Sequence, residues 1–147
     1  MNRGCVNLEI TTVRIKKADY DAIAAHAKSE LPNEACGLIA GTAEGDVKTV
    51  KKVYLLTNPD QSPEHFSIDP KEQLAAVKEM RTLGLSPLGN FHSHPSTPAR
   101  PSQEDIRLAF DPNASYLILS LAAEEPVLKA FRIKGPKVTP QELEILP

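Results

Sequence analysis

Apolar and polar positions along this chain switch repeatedly between a period of about 3.6 and a period of two, the mark of helices interleaved with strands. Leu8 to Ile15 alternates weakly and reads as a first strand. Tyr20, Ile23, Ala24, Ala27 and Leu31 then fall at helical spacing, and Pro32 ends that helix. Ala35 to Thr42 and Val47 to Leu56 read as two strands joined by Glu44, Gly45 and Asp46, which is hairpin-turn chemistry. Alternation of Val47, Thr49, Val53 and Leu55 predicts one covered face on the second strand. The polar, proline-containing stretch Asn58 to Glu64 reads as a loop before a short strand at His65 to Ile68.

A second helix is well signalled. Asp69 is its N-cap, Pro70 takes the first helical position, Glu72 the third, and Leu74, Val77, Met80 and Leu83 follow at helical spacing. Gly84 is the expected C-terminal stop. Ser86 to Phe91 reads as a strand, and Ser102 to Phe110 as a short helix entered through Pro101. The continuous apolar run Tyr116 to Ala122 fits a central strand, with Val127 to Ile133 pairing to it across a turn at Glu124 to Pro126. The last segment reads two ways: Thr139, Pro140 and Glu142 resemble a helix start, while ELEIL suits an edge strand.

Composition narrows the class. A chain of 147 residues, 41% hydrophobic, can bury one core of ordinary size, so a single domain is expected over residues 1–147, with residues 1–7 as a flexible tail. A net charge of −2 without a basic block argues against nucleic acid as partner. The N-terminus lacks the apolar core of a signal peptide, and no apolar run approaches the roughly 20 residues of a membrane helix. A cytoplasmic protein with no membrane partner is therefore expected. Cys5 and Cys36 form no CxxC pair, so reduced thiols are the default. Cys36, set among small and apolar residues, reads as a buried hydrophobe rather than a nucleophile.

The chemistry concentrates in His92 to Asp105, HSHPSTPARPSQED. At a strand end, residues i and i+2 point to one side with Cα atoms about 6.5 Å apart, close enough for two imidazoles to reach one ion. His92 and His94 meet that condition. Asp105 has two compatible readings. Ser102 with an acid three positions on resembles a helix capping box, and such a cap would also aim Asp105 back toward the histidines. Pro95, Pro98 and Pro101 stiffen the connection. Two imidazoles and a carboxylate make the ligand set of a hydrolytic zinc site that leaves one position for water. Other polar residues read as bystanders: His26 on the polar side of the first helix, His65 at a strand entry, Arg100 solvated in the loop, and Asn90 opposite to Phe91 as support for its strand.

The pattern HxHP, six residues, then SxxD resembles the signature of the JAMM metallopeptidases, the catalytically competent MPN or Mov34 domains. His92, His94, Pro95, Ser102 and Asp105 match it without a spacing error, and LGNFHSHP from Leu88 to Pro95 is similar to the family's histidine strand. PNEACGLIAG, from Pro32 to Gly41, resembles the upstream strand opening in which a glutamate precedes a Cys-Gly-Leu run, and Glu34 fills that place. By residue type alone, Glu34 is merely an exposed residue after a helix.

The resemblance implies an α/β (α+β) fold, a mixed and mainly antiparallel sheet flanked by helices, similar to that of cytidine deaminases. It implies one Zn2+ held by His92, His94 and Asp105 with water in the fourth position, Glu34 as general base, and Ser102 as hydrogen-bond donor to the developing oxyanion. It also implies cleavage after the C-terminal Gly-Gly tail of a ubiquitin-like protein. The compact length resembles the small prokaryotic form, whose substrates are sulfur-carrier proteins. A non-catalytic MPN scaffold is the alternative, against which the retained motif residues argue, and a cysteine hydrolase built on Cys36 is a third. A zinc deaminase would need HxE followed by PCxxC, and neither occurs.

Overall fold

The computed structural model describes residues 9–147, so the expectations for residues 1–7 and for Cys5 lie outside the described residues. The strands are β1 Thr12–Lys16, β2 Cys36–Glu44, β3 Val47–Leu56, β4 Ser86–His94, β5 Ser115–Ser120, β6 Val127–Lys134 and β7 Lys137–Leu146, and the helices α1 Lys17–Ser29, α2 Pro70–Thr82 and α3 Gln103–Leu108. The strands close in the order β1-β3-β2-β4-β5-β6-β7. Four pairings are antiparallel, while β1 runs parallel to both β3 and β7, and β4 runs parallel to β5. The sheet is thus mixed and mainly antiparallel, as expected, and it curls shut because β7 lies beside β1. The C-terminal segment is strand, which resolves the open choice between helix and strand.

One core lies between the sheet and α1, where Ile23, Ala24 and Ala27 pack among Val13, Ile15, Ile39 and Phe91. A second lies on the opposite sheet face, where Ala76 and Met80 of α2 meet Cys36, Leu38, Ala40 and Leu56. The start of α2 is as the sequence predicts, with the Asp69 side chain accepting from Lys71 N at 3.0 Å. Gly84, at φ +71°, takes the left-handed conformation that terminates helices.

Several expectations are corrected. His65 to Ile68 is not a strand; Asn58 Oδ1 accepts from Ser67 N at 3.2 Å and Asn58 Nδ2 donates to His65 O at 3.1 Å, so a side chain satisfies this backbone instead of a neighbouring strand. Glu72 does not complete a capping box on α2, because its carboxylate binds Thr57 N and Thr57 Oγ1 at 2.9 and 3.0 Å. On β3 the covered positions are Lys48, Val50 and Leu56, while Leu55 is exposed. A register shift opposite Ala40 and Gly41 places Lys51 as an extra residue, and such a bulge exchanges the faces of everything beyond it. Lys48 is buried where its Nζ donates to Leu88 O, Asn113 O and Ser115 Oγ at 2.9, 2.7 and 3.0 Å. Burial lowers its ammonium to about 8.

No helix among the described residues is long and apolar enough to cross a membrane.

Candidate active site

The two histidines end β4, where alternation puts His92 and His94 on one face and Phe91 on the other, in the first core. Their Nε2 atoms lie 3.1 Å apart, and each is 3.1 Å from Asp105 Oδ2. Both imidazoles are buried, at 2% and 4% exposure. Asp105 arrives from the first turn of α3, which Ser102 caps: Ser102 Oγ accepts from Asp105 N at 3.0 Å, and Asp105 Oδ2 accepts from Ser102 N at 2.9 Å. The two readings of Asp105 are therefore both realised, by one oxygen.

Each ring is held differently. His94 Nδ1 donates to Pro98 O at 2.9 Å, and since a carbonyl only accepts, the neutral ring carries its lone pair on Nε2. Ser120 Oγ donates to the neighbouring Thr97 O at 2.6 Å, tying the proline-rich loop to the end of β5. His92 is stacked on Phe66, with ring centroids 4.6 Å apart. Neither the Pro98 carbonyl nor Phe66 was foreseen from sequence; the first is a backbone group and the second sat in the segment misread as a strand.

Two imidazole nitrogens and a carboxylate oxygen that face one another repel unless a proton or a cation lies between them. Their mutual distances fit a cation: a tetrahedral ion with bonds of about 2.0–2.1 Å sets its ligands roughly 3.3 Å apart, close to the 3.1 Å found. His92, His94 and Asp105 can thus hold a metal ion. Burial works to raise the Asp105 carboxyl, but hydrogen bonds with His92 and His94 outweigh it and hold the group well below the usual carboxylate range. Burial likewise works against charged His94, and its bonds with Asp105 and Pro98 outweigh that and raise it.

Glu34 is 4% exposed, not the solvated residue that its local sequence suggests. Its backbone is clamped, with Glu34 N donating to Ser62 O at 2.8 Å and Asn58 Nδ2 donating to Glu34 O at 3.0 Å. The adjoining Ala35 pairs twice with Ser93, the residue between the histidines: Ser93 N to Ala35 O at 3.0 Å and Ala35 N to Ser93 Oγ at 2.8 Å. Glu34 Oε1 is buried without a hydrogen-bond partner among the described residues. Burial pushes the Glu34 carboxyl up to about 8; His94 pulls it down, and the charges of Asp105, Glu104 and Glu64 add to the rise.

A match to the family described as prokaryotic homologs of the JAB domain covers residues 16–134. The chain belongs to that family. It is the small prokaryotic branch of the JAMM or MPN metallopeptidases, and the chain is a hydrolase. A CysO-cysteine peptidase from Mycobacterium tuberculosis is 33% identical over 136 residues, which is 91% of this chain and 92% of that protein. A desampylase from Haloferax volcanii is 31% identical over 105 residues, covering 68% of this chain and 74% of the relative. The solution structure of a Desulfitobacterium hafniense protein superposes with a TM-score of 0.84 at 56% identity, covering 91% of this chain and 94% of that one.

The remaining candidates stay outside this JAMM cluster. His26 Nε2 donates to Leu56 O at 3.0 Å, half-buried rather than on the polar side of α1. His65 pairs with Asp60 at 3.2 Å, and Arg100 is exposed. Cys36 is fully buried, and its thiol is pushed up to about 12, first by burial and then by nearby carboxylates. Burial and a thiol that resists ionisation both argue against a nucleophile, and so against the cysteine-hydrolase alternative. Asn90 does point away from Phe91, as expected, but into a cavity.

Proposed function

We propose that this chain is a zinc metallopeptidase that hydrolyses the peptide or isopeptide bond after the C-terminal Gly-Gly tail of a small ubiquitin-like or sulfur-carrier protein. The observation that carries the reading is the convergence of His92, His94 and Asp105, two of which, His94 and Asp105, act electrostatically on the buried carboxyl of Glu34. Zinc on these three residues would act as a Lewis acid on the scissile carbonyl and bring a water to ionise near pH 7 rather than near 16. Glu34, raised toward neutrality by its surroundings, is suited both to take a proton from that water and to return it to the leaving amine. Ser102 Oγ accepts from Asp105 N, so its hydroxyl hydrogen remains available to the oxyanion, a contribution worth roughly 3 to 4 kcal/mol where comparable donors have been removed.

The relatives' names, a peptidase of CysO-cysteine and a desampylase, support a conjugate as substrate. A tail laid in extended form against the site would suit both. We assign the reaction to the cytosol.

Intact-mass analysis tests the reading directly. The zinc-loaded chain, incubated with Gly-Gly carrier proteins extended by one to several residues, is expected to release the extension and leave the diglycine end. A chelator should stop the reaction and a thiol alkylator should not. Zinc-loaded protein that leaves every such carrier intact would overturn the assignment.

A further inference from the structure

A cavity of about 470 Å3 opens from the His92 and Asp105 side of the site, in the size class of pockets that enclose most of a small ligand. Leu38, Ile68, Leu88 and Tyr116 give it apolar wall, Glu104, Asp111 and Asn113 polar wall, and Phe66, which stacks on His92, stands at the histidine end. Asn90 stands out among the polar lining residues for its unpartnered oxygen. It precedes His92 by two residues on β4 and so leaves the same face of the strand, lining the cavity. Its Oδ1 is buried and has no hydrogen-bond partner among the described residues. A buried amide oxygen without a partner destabilises the folded chain. Positions that break a local rule in this way are where a protein gives up stability for a ligand.

Glycine residues carry no side chain to be recognised. A site that reads a Gly-Gly tail must do so through main-chain hydrogen bonds. A carboxamide has a donor and an acceptor side by side, the complement of one peptide group. We infer that Asn90 binds the main chain of the substrate's diglycine tail, its carboxamide turning from the sealed position to pair with a peptide group of the segment lying in the cavity. The inference rests on the proposed carrier-tail substrate and names the residue that selects it. Leucine at this position would fill the space but leave that peptide group buried and unpaired. Aspartate would lose the donor and set a second negative charge near Asp105.

Steady-state kinetics of the zinc-loaded wild type, Asn90→Leu and Asn90→Ala on one carrier fusion test this, together with thermal melts and zinc content. The expected result is KM raised about tenfold or more in both variants, as for a lost hydrogen bond in a buried site, with kcat within about twofold. Zinc should be retained, and Asn90→Leu should melt at or above the wild-type temperature, because an unpaired polar group has been removed. A structural role predicts the opposite melt, so a lowered melting temperature with loss of zinc overturns the inference, as does kcat/KM within twofold of wild type in both variants. Should wild type cleave no carrier fusion, the functional reading fails separately. Binding of a fluorescent Gly-Gly-terminated peptide then decides the role of Asn90, with weaker binding to Asn90→Leu supporting it and equal binding ending it.

Discussion

Asp105 Oδ2 accepts from Ser102 N at 2.9 Å while lying 3.1 Å from the Nε2 of both His92 and His94. One oxygen therefore both closes the N-terminus of α3 and completes the ligand triangle. Removing the cap is expected to disturb the site even though Ser102 hydrogen-bonds to Asp105 and not to either imidazole. Ser102→Ala is expected to cost about 1 kcal/mol of stability and to weaken metal binding roughly 10- to 100-fold, as for lost supporting contacts at other metal sites. Ser102→Thr should restore most of both. Zinc titration with a competing chelator, alongside thermal melts, measures the pair.

Glu34→Gln keeps the shape of the side chain but removes its proton chemistry. The variant is expected to hold about one zinc per chain and to lose at least ~100-fold in kcat, within the range of general acid-base contributions. Metal analysis and single-turnover kinetics check it. Turnover at the wild-type rate would remove Glu34 from the reaction.

Stability of the metal-free chain should depend on pH in a definite direction. Glu34, raised from 4.5 to about 8 by burial, binds more protons folded than unfolded between those values, so its contribution to stability declines as pH rises through that window. His94, also raised, shifts stability the same way above 6.5. Melting temperature is therefore expected to fall from pH 6 to pH 8, and Glu34→Gln should flatten the slope. Lys48, lowered from 10.5 to about 8 by burial, acts in the opposite sense above pH 8, where stability contributed by neutralising it increases. Differential scanning fluorimetry across pH 5 to 10 separates the two windows.

Removing the metal should both stop catalysis and loosen the fold. At free zinc about 100-fold above its dissociation constant, binding adds about 2.7 kcal/mol to stability, and a chelator should remove that much. His92→Ala should show no rise in melting temperature on adding zinc.

Gly37→Ala tests the packing behind the site. A Cβ there would lie 2.1 Å from Tyr54 O and 2.2 Å from Phe91 Cε2, backbone on one side and a buried ring directly before His92 on the other. Overpacking of this kind costs about 1 to 3 kcal/mol, and displacement of Phe91 should carry a loss of metal affinity with it. Denaturant melts and zinc titration give the two numbers.

Much of this arrangement is legible in the sequence, because it is encoded locally. Asp69 and Pro70 start α2 where expected, β3 has the predicted bounds Val47–Leu56, and the HxH spacing alone puts two imidazoles on one face. What is hidden depends on partners distant in the chain. Lys48 is buried because a bulge at Lys51 reverses the parity of β3, and because carbonyls from Leu88 and Asn113 await its ammonium. His65 to Ile68 has the composition of a strand but finds Asn58 in place of a neighbour. Glu34 looks solvated until Ser62 and Asn58 clamp its backbone and Ser93 that of Ala35. The resemblance to JAMM peptidases singled out Glu34 where periodicity could not, since a pocket formed by distant loops leaves no periodic trace.

The pairing of Ala35 with Ser93 ties enzymatic competence to strand alignment. If β2 and β4 associated one residue out of step, the histidine side chains would swing to the α1 side and Glu34 would lose its place beside them, because side chains alternate with a period of two. Such a chain could retain most of its backbone ladder and yet be inert. Specific activity per mole of folded protein is accordingly a sensitive gauge of correct β2–β4 pairing, reporting misaligned molecules that circular dichroism would count as native.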